Sequence, residues 1–336
     1  MECVVHIGTE KTGTTSIQRT LDHNAERLAA AGVIWPPIFR DGQDPRAACY
    51  AMDDDTIDLR KERRNLTTPE KIATFRAQFE DRFAREIDRG PDARTVLVVN
   101  EHLSRMRRPS EVRRLKTFLE RHFDRVRVVV YLRRQDRMMR SMYSQVIKVG
   151  GTRPNVFPRY EDARDGDFTT FNYRRIADLW ADIFGRAAFE IRVFESARLS
   201  GGDVVSDFLR VAGIPPIDGL EPSKTNESLS PEAIQVLRML NRHLPRGARG
   251  NIGPLSGRIF TGSGIPVARA EAETFLGHFQ ADNDHVAQDY LGRPCLFEPI
   301  GPDEYPDSVP PEAMAVDLDT MAQHFASLWE AKIRGL

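Results

Sequence analysis

Five short apolar runs, rich in β-branched residues and bounded by turn signals, punctuate the chain at Cys3–Ile7, Gly32–Trp35, Thr95–Val99, Val126–Leu132 and Phe189–Phe194. Near-continuous runs of this kind predict strands buried on both faces. Between them, Glu70–Asp88, Pro109–Phe123 and Tyr173–Phe184 repeat apolar residues at helical spacing. Strands alternating with helices predict an α/β fold, a parallel sheet of about five strands flanked by helices. After Phe194 the pattern turns helical. Ser230-Pro231-Glu232 is a helix start, with a capping hydroxyl, a proline suited to the first turn and a carboxylate that favours the dipole. Leu240 and Leu244 continue that helix's stripe up to Pro245, Gln280–Tyr290 reads as helix again, and Ile333 closes a last one. The charged stretch Asp41–Leu66 reads as a surface excursion, irregular Gly150–Gly166 as part of a cleft or lid, and glycine-rich Arg246–Pro266 as a loop. No repeat or low-complexity linker divides the chain. The expectation is one domain over 1–336, its core sheet in about 1–200 and a helical elaboration over about 201–336.

The first strand runs directly into Gly8-Thr9-Glu10-Lys11-Thr12-Gly13-Thr14-Thr15, and a helical pattern starts at Ser16-Ile17. Strand, glycine-rich turn and helix N-terminus make an anion cradle: successive backbone N–H groups point at one spot, and the helix dipole adds positive charge there. A phosphate or sulfate suits it. The loop departs from the nucleoside-triphosphate pattern, in which Lys and then Ser or Thr follow the second glycine. Here Gly13 precedes Thr14 and Thr15, and the lysine stands earlier, at Lys11.

Charge and cysteine usage narrow the partners. Lys and Arg number 48 against 49 Asp and Glu, so the net charge of −1 exerts no pull toward nucleic acid or an anionic membrane. Any anion site is therefore local. The three cysteines, Cys3, Cys49 and Cys295, are scattered and predict neither a disulfide framework nor a metal site. No apolar run reaches transmembrane length and no leader precedes the first strand, so the expectation is a cytoplasmic protein without stable membrane insertion.

A second motif, Tyr131-Leu132-Arg133-Arg134-Gln135-Asp136-Arg137-Met138-Met139-Arg140-Ser141, leaves the fourth strand and starts a helix reaching about Lys148. Arg133 sits at the strand end and Ser141 roughly two helical turns later. An arginine fork with a hydroxyl suits a phosphate. In P-loop sheets the first strand lies between the third and fourth, and ligands bind at the strands' C-terminal ends. That order would bring Lys11, Arg133 and the Asn100-Glu101-His102-Leu103-Ser104 segment to one rim. Glu101 and His102 are both candidates for a general base.

With Lys11 ahead of Gly13-Thr14-Thr15, the loop resembles that of sulfotransferases that use 3′-phosphoadenosine 5′-phosphosulfate (PAPS), where Lys-x-Gly-Thr-Thr holds the donor's 5′-phosphate. The resemblance implies a P-loop-NTPase-like fold and assigns Lys11, Thr12, Gly13, Thr14, Thr15 and Ser16 to the donor. It assigns Arg133 and Ser141 to the 3′-phosphate, and gives Lys11 a catalytic part at the leaving phosphate. Carbohydrate sulfotransferases carry the base as a Glu after this strand and cytosolic small-molecule members as a His before Leu. Glu101 and His102-Leu103 match both, so the choice stays open. Phe171–Trp180, Phe184-Gly185, Asn226–Ala233 and Tyr290–Phe297 resemble segments of bacterial members. The late basic-glycine motif of some members has only Arg249-Gly250 or Gly257-Arg258 as substitutes. The resemblance implies a bacterial, metal-free enzyme that transfers sulfuryl groups to a saccharide or glycolipid hydroxyl. Two rival readings are a P-loop kinase or NTPase, against which Asn100 stands where an Asp is expected, and a non-catalytic nucleotide- or glycan-binding homologue.

Overall fold

In the computed structural model, which describes residues 1–40, 45–88, 93–159, 168–220, 228–245, 252–310 and 315–334, the five apolar runs pair into one all-parallel sheet. The strands are β1 (Glu2–His6), β2 (Val33–Ile34), β3 (Thr95–Val99), β4 (Arg125–Leu132) and β5 (Phe189–Val193), in the order β2-β3-β1-β4-β5. The first strand lies between the third and fourth, as the sequence predicts. Val4 sits opposite Leu97 on one side and Arg127 on the other. Successive strand residues point to opposite faces, and β1 is buried from Cys3 through His6, so both faces of the central strand are covered. All five strands carry their C-terminal ends to one edge.

The first helices are α1 (Thr14–His23), α2 (Ala25–Ala30), α3 (Arg46–Ala51), α4 (Leu59–Arg63), α5 (Pro69–Ile87) and α6 (Pro109–Glu120). They are followed by α7 (Gln135–Lys148), α8 (Tyr173–Phe184), α9 (Val204–Val211), α10 (Pro231–His243), α11 (Gly253–Ile259), α12 (Arg269–Gly277), α13 (Gln280–His285) and α14 (Leu318–Ile333). The chain divides into two compact units: Met1–Arg133 with Phe168–Thr225 and Asp282–Leu296, and Arg134–Asp167 with Asn226–Ala281 and Phe297–Leu336.

The first unit holds the sheet. Its helix α8 packs on β4, β5 and α6, and α1 packs on β3 and α9. Trp35, Phe39, Tyr50, Phe79, Phe83 and Phe118 form an aromatic cluster with ring centroids 4.8 to 6.3 Å apart. Such contacts add to the area they bury.

The stretch expected to be a surface excursion is part of this core. Ala47 through Met52 are buried, and the carbonyls at the end of α3 are met by cations. Arg76 donates to the Tyr50 and Met52 carbonyls, Arg114 to Ala51 and the buried Lys61 to Asp53. The charges that made the segment look exposed satisfy a buried helix end. Residues 41–44 of that expectation lie outside the described residues.

In the second unit, Tyr143, Ile147, Leu229, Ile234, Leu237 and Ile265 form the core. Ser230 caps α10 as expected, accepting from the Ala233 N–H at 3.2 Å with Pro231 in the first turn. Buried Arg134 forks onto Asp136 at 2.8 Å and reaches Glu304, while the Tyr305 hydroxyl donates to Asp136. The loop expected over Arg246–Pro266 contains α11, which Pro254 starts. Gly253 makes this helix possible, since a Cβ there would stand 1.8 Å from the Lys148 carbonyl oxygen. Residues 246–251, and the 160–166 end of the expected lid, lie outside the described residues.

Candidate functional site

Pairing with β4 continues past the end of β1 and delivers the chain into the loop. Ile7 N–H donates to the Val129 carbonyl at 3.0 Å and Thr9 N–H to Tyr131 at 2.9 Å, while Tyr131 N–H donates to Gly8 at 2.7 Å. Gly8 has φ +103°, and a Cβ there would stand 3.0 Å from both Cα and O of Glu101. Only glycine lets the loop pass so close to the turn after β3. Thr12 closes the loop, its hydroxyl donating to the Thr9 carbonyl at 2.6 Å. Lys11 holds φ 62°, a left-handed conformation that costs a non-glycine residue roughly 1–2 kcal/mol.

Gly13, also left-handed at φ 80°, is the N-cap of α1. It offers no side chain, and the first turn holds no acidic residue, so no carboxylate offsets the helix dipole there. The Gly13 carbonyl accepts from the Ser16 and Ile17 N–H groups. Thr14 and Ser16 are 2% and 4% exposed, and neither Thr14 Oγ1 nor Ser16 Oγ has a hydrogen-bond partner among the described residues. An unpaired buried hydroxyl costs about 1–3 kcal/mol. Two of them beside a bare helix N-terminus fit an oxyanion, which accepts from both hydroxyls and from the helix N–H groups. Thr15, on the same turn, is partly exposed.

Arg133 reaches this loop from the end of β4. Its Nη1 donates to the Lys11 carbonyl at 2.8 Å, and its guanidinium lies 5.5 Å from the centre of the Phe194 ring. The Tyr173 hydroxyl donates to the Arg133 carbonyl.

Glu101 and His102 open a 3-10 turn, Glu101–Arg105, whose N–H at His102 is capped by Asn100 Oδ1 at 3.1 Å. Burial, with help from the nearby Glu10 carboxylate, pushes the Glu101 carboxyl up to about 7, against the opposing pull of Lys11 and Arg105. Glu10 itself is held by Arg105, whose Nη2 lies 2.6 Å from both carboxylate oxygens. The His102 carbonyl accepts from Arg60 at 3.4 Å.

Lys11, Glu101 and Arg133 therefore gather at one rim. Ser141 sits about two turns into α7, in the second unit, as Gly257-Arg258 does on α11. Arg249-Gly250 and Asn226-Glu227 lie outside the described residues. Gly8, Glu10, Arg105 and Phe194 belong to the site without having been singled out from sequence. The glycine at a strand end was the visible signal for Gly8. The partners of the other three come from distant segments. Among the described residues, no group of three or more His, Cys, Asp or Glu is placed to hold a metal ion, and no helix is long and apolar enough to cross a membrane.

No family model matches the chain. An uncharacterized protein of Archaeoglobus fulgidus is 24% identical over 201 residues, 56% of this chain and 52% of that protein. The chain thus spans about half the length of the curated relative it matches. A sulfotransferase from Alicyclobacillus acidocaldarius is similar in structure, with a TM-score of 0.42 and 16% identity over 71% of this chain and 91% of that one. A likeness that low carries no argument about chemistry. The fold stands on the strand order and register.

Proposed function

We propose that the chain is a sulfotransferase that moves a sulfuryl group from PAPS to a hydroxyl of a saccharide or glycolipid in a bacterial cytoplasm. The observation that carries this reading is the pair of buried, unpartnered hydroxyls of Thr14 and Ser16 at an N-terminus of α1 that has no acidic cap. The resemblance of Lys11-Thr12-Gly13-Thr14-Thr15 to the donor loop of that family says which anion fits. When bound, PAPS supplies an activated sulfuryl group and a phosphate leaving group.

The chain's own residues have distinct tasks in this account. Thr14, Thr15, Ser16 and the N–H groups of the loop grip the 5′-phosphate, with Thr12 holding the loop closed and Gly13 turning it into the helix. Arg133 takes the 3′-phosphate. Lys11 stabilises negative charge growing on the departing oxygen, an interaction stronger in the transition state than before it. Glu101 accepts the acceptor hydroxyl's proton. A carboxyl titrating near 7 is a stronger base than an ordinary one and is still half ionised at neutral pH. The raised carboxyl, with Lys11 close enough to pull on it, supports Glu101 over His102 as the base. The phosphoryl-transfer reading is weaker, because Asn100 occupies the place of a metal-holding Asp and its Oδ1 caps the 3-10 turn.

Labelled PAPS offered with a panel of saccharide and glycolipid acceptors tests the reading. Transfer to one acceptor class, reduced on the order of a hundredfold or more in Glu101→Gln, supports it. Transfer indifferent to both Glu101→Gln and Lys11→Ala contradicts it.

A further inference from the structure

A cavity of about 530 Å³ opens at the N-terminal turns of α6 and α8, within the first unit, and none of the residues assigned above lines it. Its volume falls in the range of small-molecule sites. Arg107, Arg174 and Arg175 face it, with Asp178 and Asp282 as the opposing carboxylates. Asp178 is already engaged, accepting from the Tyr290 hydroxyl at 2.8 Å, lying 3.0 Å from His285 Nε2 and paired with Arg174 Nε at 3.4 Å. Burial pushes the Asp282 carboxyl up, toward its neutral form. Three guanidiniums thus face two carboxylates across the cavity.

Arg175 is the clearest case. Its Nη2 donates to the Arg107 carbonyl at 2.9 Å, and no carboxylate among the described residues forms an ion pair with it. Burial first, and then the neighbouring Arg107 charge, weigh against its cationic form. The nearby Glu111 carboxylate is turned to the backbone N–H groups of Arg107 and Arg108. The N-terminus of α8 is capped by Asn172 Oδ1, which accepts from the Arg175 N–H, so the open feature here is the guanidinium fork. A planar fork beside a second guanidinium suits a carboxylate, sulfate or phosphate.

The cavity also has a place in the fold. Arg107 follows Glu101 by six residues, which a chain spans in at most about 20 Å. At the other wall, α8 begins with the Tyr173 hydroxyl bonded to the Arg133 carbonyl. Both walls of the cavity are thus tied, by a short stretch of chain and by a hydrogen bond, to the rim that holds Lys11, Glu101 and Arg133. We infer that the cavity receives an anionic substituent of the acceptor, held by Arg175 and Arg107 while a hydroxyl elsewhere on the molecule meets Glu101. The acceptor role rests on the sulfotransferase reading. The anion site does not.

The test has two arms, both on the full chain. In the first, the Arg175 side-chain N–H resonance, identified by its loss in Arg175→Lys, is followed by NMR as inorganic sulfate is added. A saturable shift that persists in Lys11→Ala is expected. Its absence overturns the anion site, whatever the enzyme's activity. In the second, Arg175→Gln raises KM for carboxylated or sulfated acceptors about ten- to a hundredfold, with a far smaller change for uncharged acceptors and for the donor. A sulfate shift combined with an unchanged KM for anionic acceptors overturns the acceptor assignment, since the cavity then holds a free oxyanion. A protein that shifts with sulfate but transfers no sulfuryl group contradicts the donor reading and the acceptor role together, and leaves the anion site standing.

Discussion

Arg133 Nη1 stands 2.8 Å from the carbonyl oxygen of Lys11, so the arginine at the end of β4 holds the loop after β1 in place. One guanidinium nitrogen is committed to the loop, and the guanidinium carbon lies 5.5 Å from the centre of the Phe194 ring. If that guanidinium reads a 3′-phosphate, Arg133→Ala should weaken 3′-phosphoadenosine 5′-phosphate about ten- to a hundredfold, the usual effect of losing a charge-assisted hydrogen bond. Adenosine 5′-phosphate should lose much less. Calorimetric titration of both ligands checks this, and equal losses would mean that Arg133 acts only on the loop.

Glu101 makes stability depend on pH in a defined direction. Its carboxyl titrates at about 7 when folded and near 4.5 when unfolded. Between these values the folded state holds a proton that the unfolded state has released. The contribution is present below pH 4.5 and is lost as pH rises through 7. Glu101→Gln should therefore gain on the wild type between pH 5 and 8, by at most about 3 kcal/mol. Urea unfolding at a series of pH values measures the gain, and a constant difference would contradict the assignment.

Gly8 should resist substitution. Gly8→Ala meets both the left-handed backbone and the Glu101 Cα and O at 3.0 Å, and should cost about 1–3 kcal/mol. Gly277, at the end of α12, has no heavy atom within 4 Å of a Cβ, so Gly277→Ala should be neutral or slightly stabilising. Similar midpoints in denaturant for the two variants would remove the close approach at Gly8 from the account.

His6 predicts an acid sensitivity. It is fully buried with its ring centroid 5.4 Å from those of Tyr131 and Phe208, and neither ring nitrogen has a hydrogen-bond partner among the described residues. Burial pushes the imidazole down to about 3. Below pH 6.5 the unfolded chain takes up a proton that the folded one refuses, so this group costs stability as pH falls from 6.5 toward 3. His6→Leu should flatten the acid limb of the stability curve while changing little above pH 7. Identical acid limbs in variant and wild type would contradict this.

The sheet was legible in the chain because β1, β3 and most of β4 are near-continuous apolar runs buried on both faces, while β5 alternates Phe189, Ile191 and Val193 with charged residues. The glycine-rich loop and Arg133 were legible because each follows such a run directly. The burial of α3 was not, since its short apolar stretch Ala47–Ala51 is flanked by charges, and only the fold reveals that Arg76, Arg114 and Lys61 turn inward to its carbonyls. The support for Glu101 over His102 as the proposed base was equally hidden. It depends on Gly8, Glu10 and Lys11, which reach the turn after β3 from another strand, and no spacing along one segment encodes that. The cavity arginines at the starts of α6 and α8 carry no signal along the chain for the same reason.

The central claim is that the loop at Lys11 holds a 3′-phosphorylated adenine nucleotide without needing a metal ion. Thermal unfolding of the full chain with EDTA present, titrated separately with 3′-phosphoadenosine 5′-phosphate and with ATP, tests it most directly. The account predicts a saturable rise in melting temperature with the first ligand, worth about 2.7 kcal/mol at a hundredfold over its dissociation constant, and a smaller one with ATP. It also predicts that the rise shrinks in Arg133→Ala. No rise at millimolar ligand, or a rise that appears only for ATP with Mg²⁺, would contradict the account.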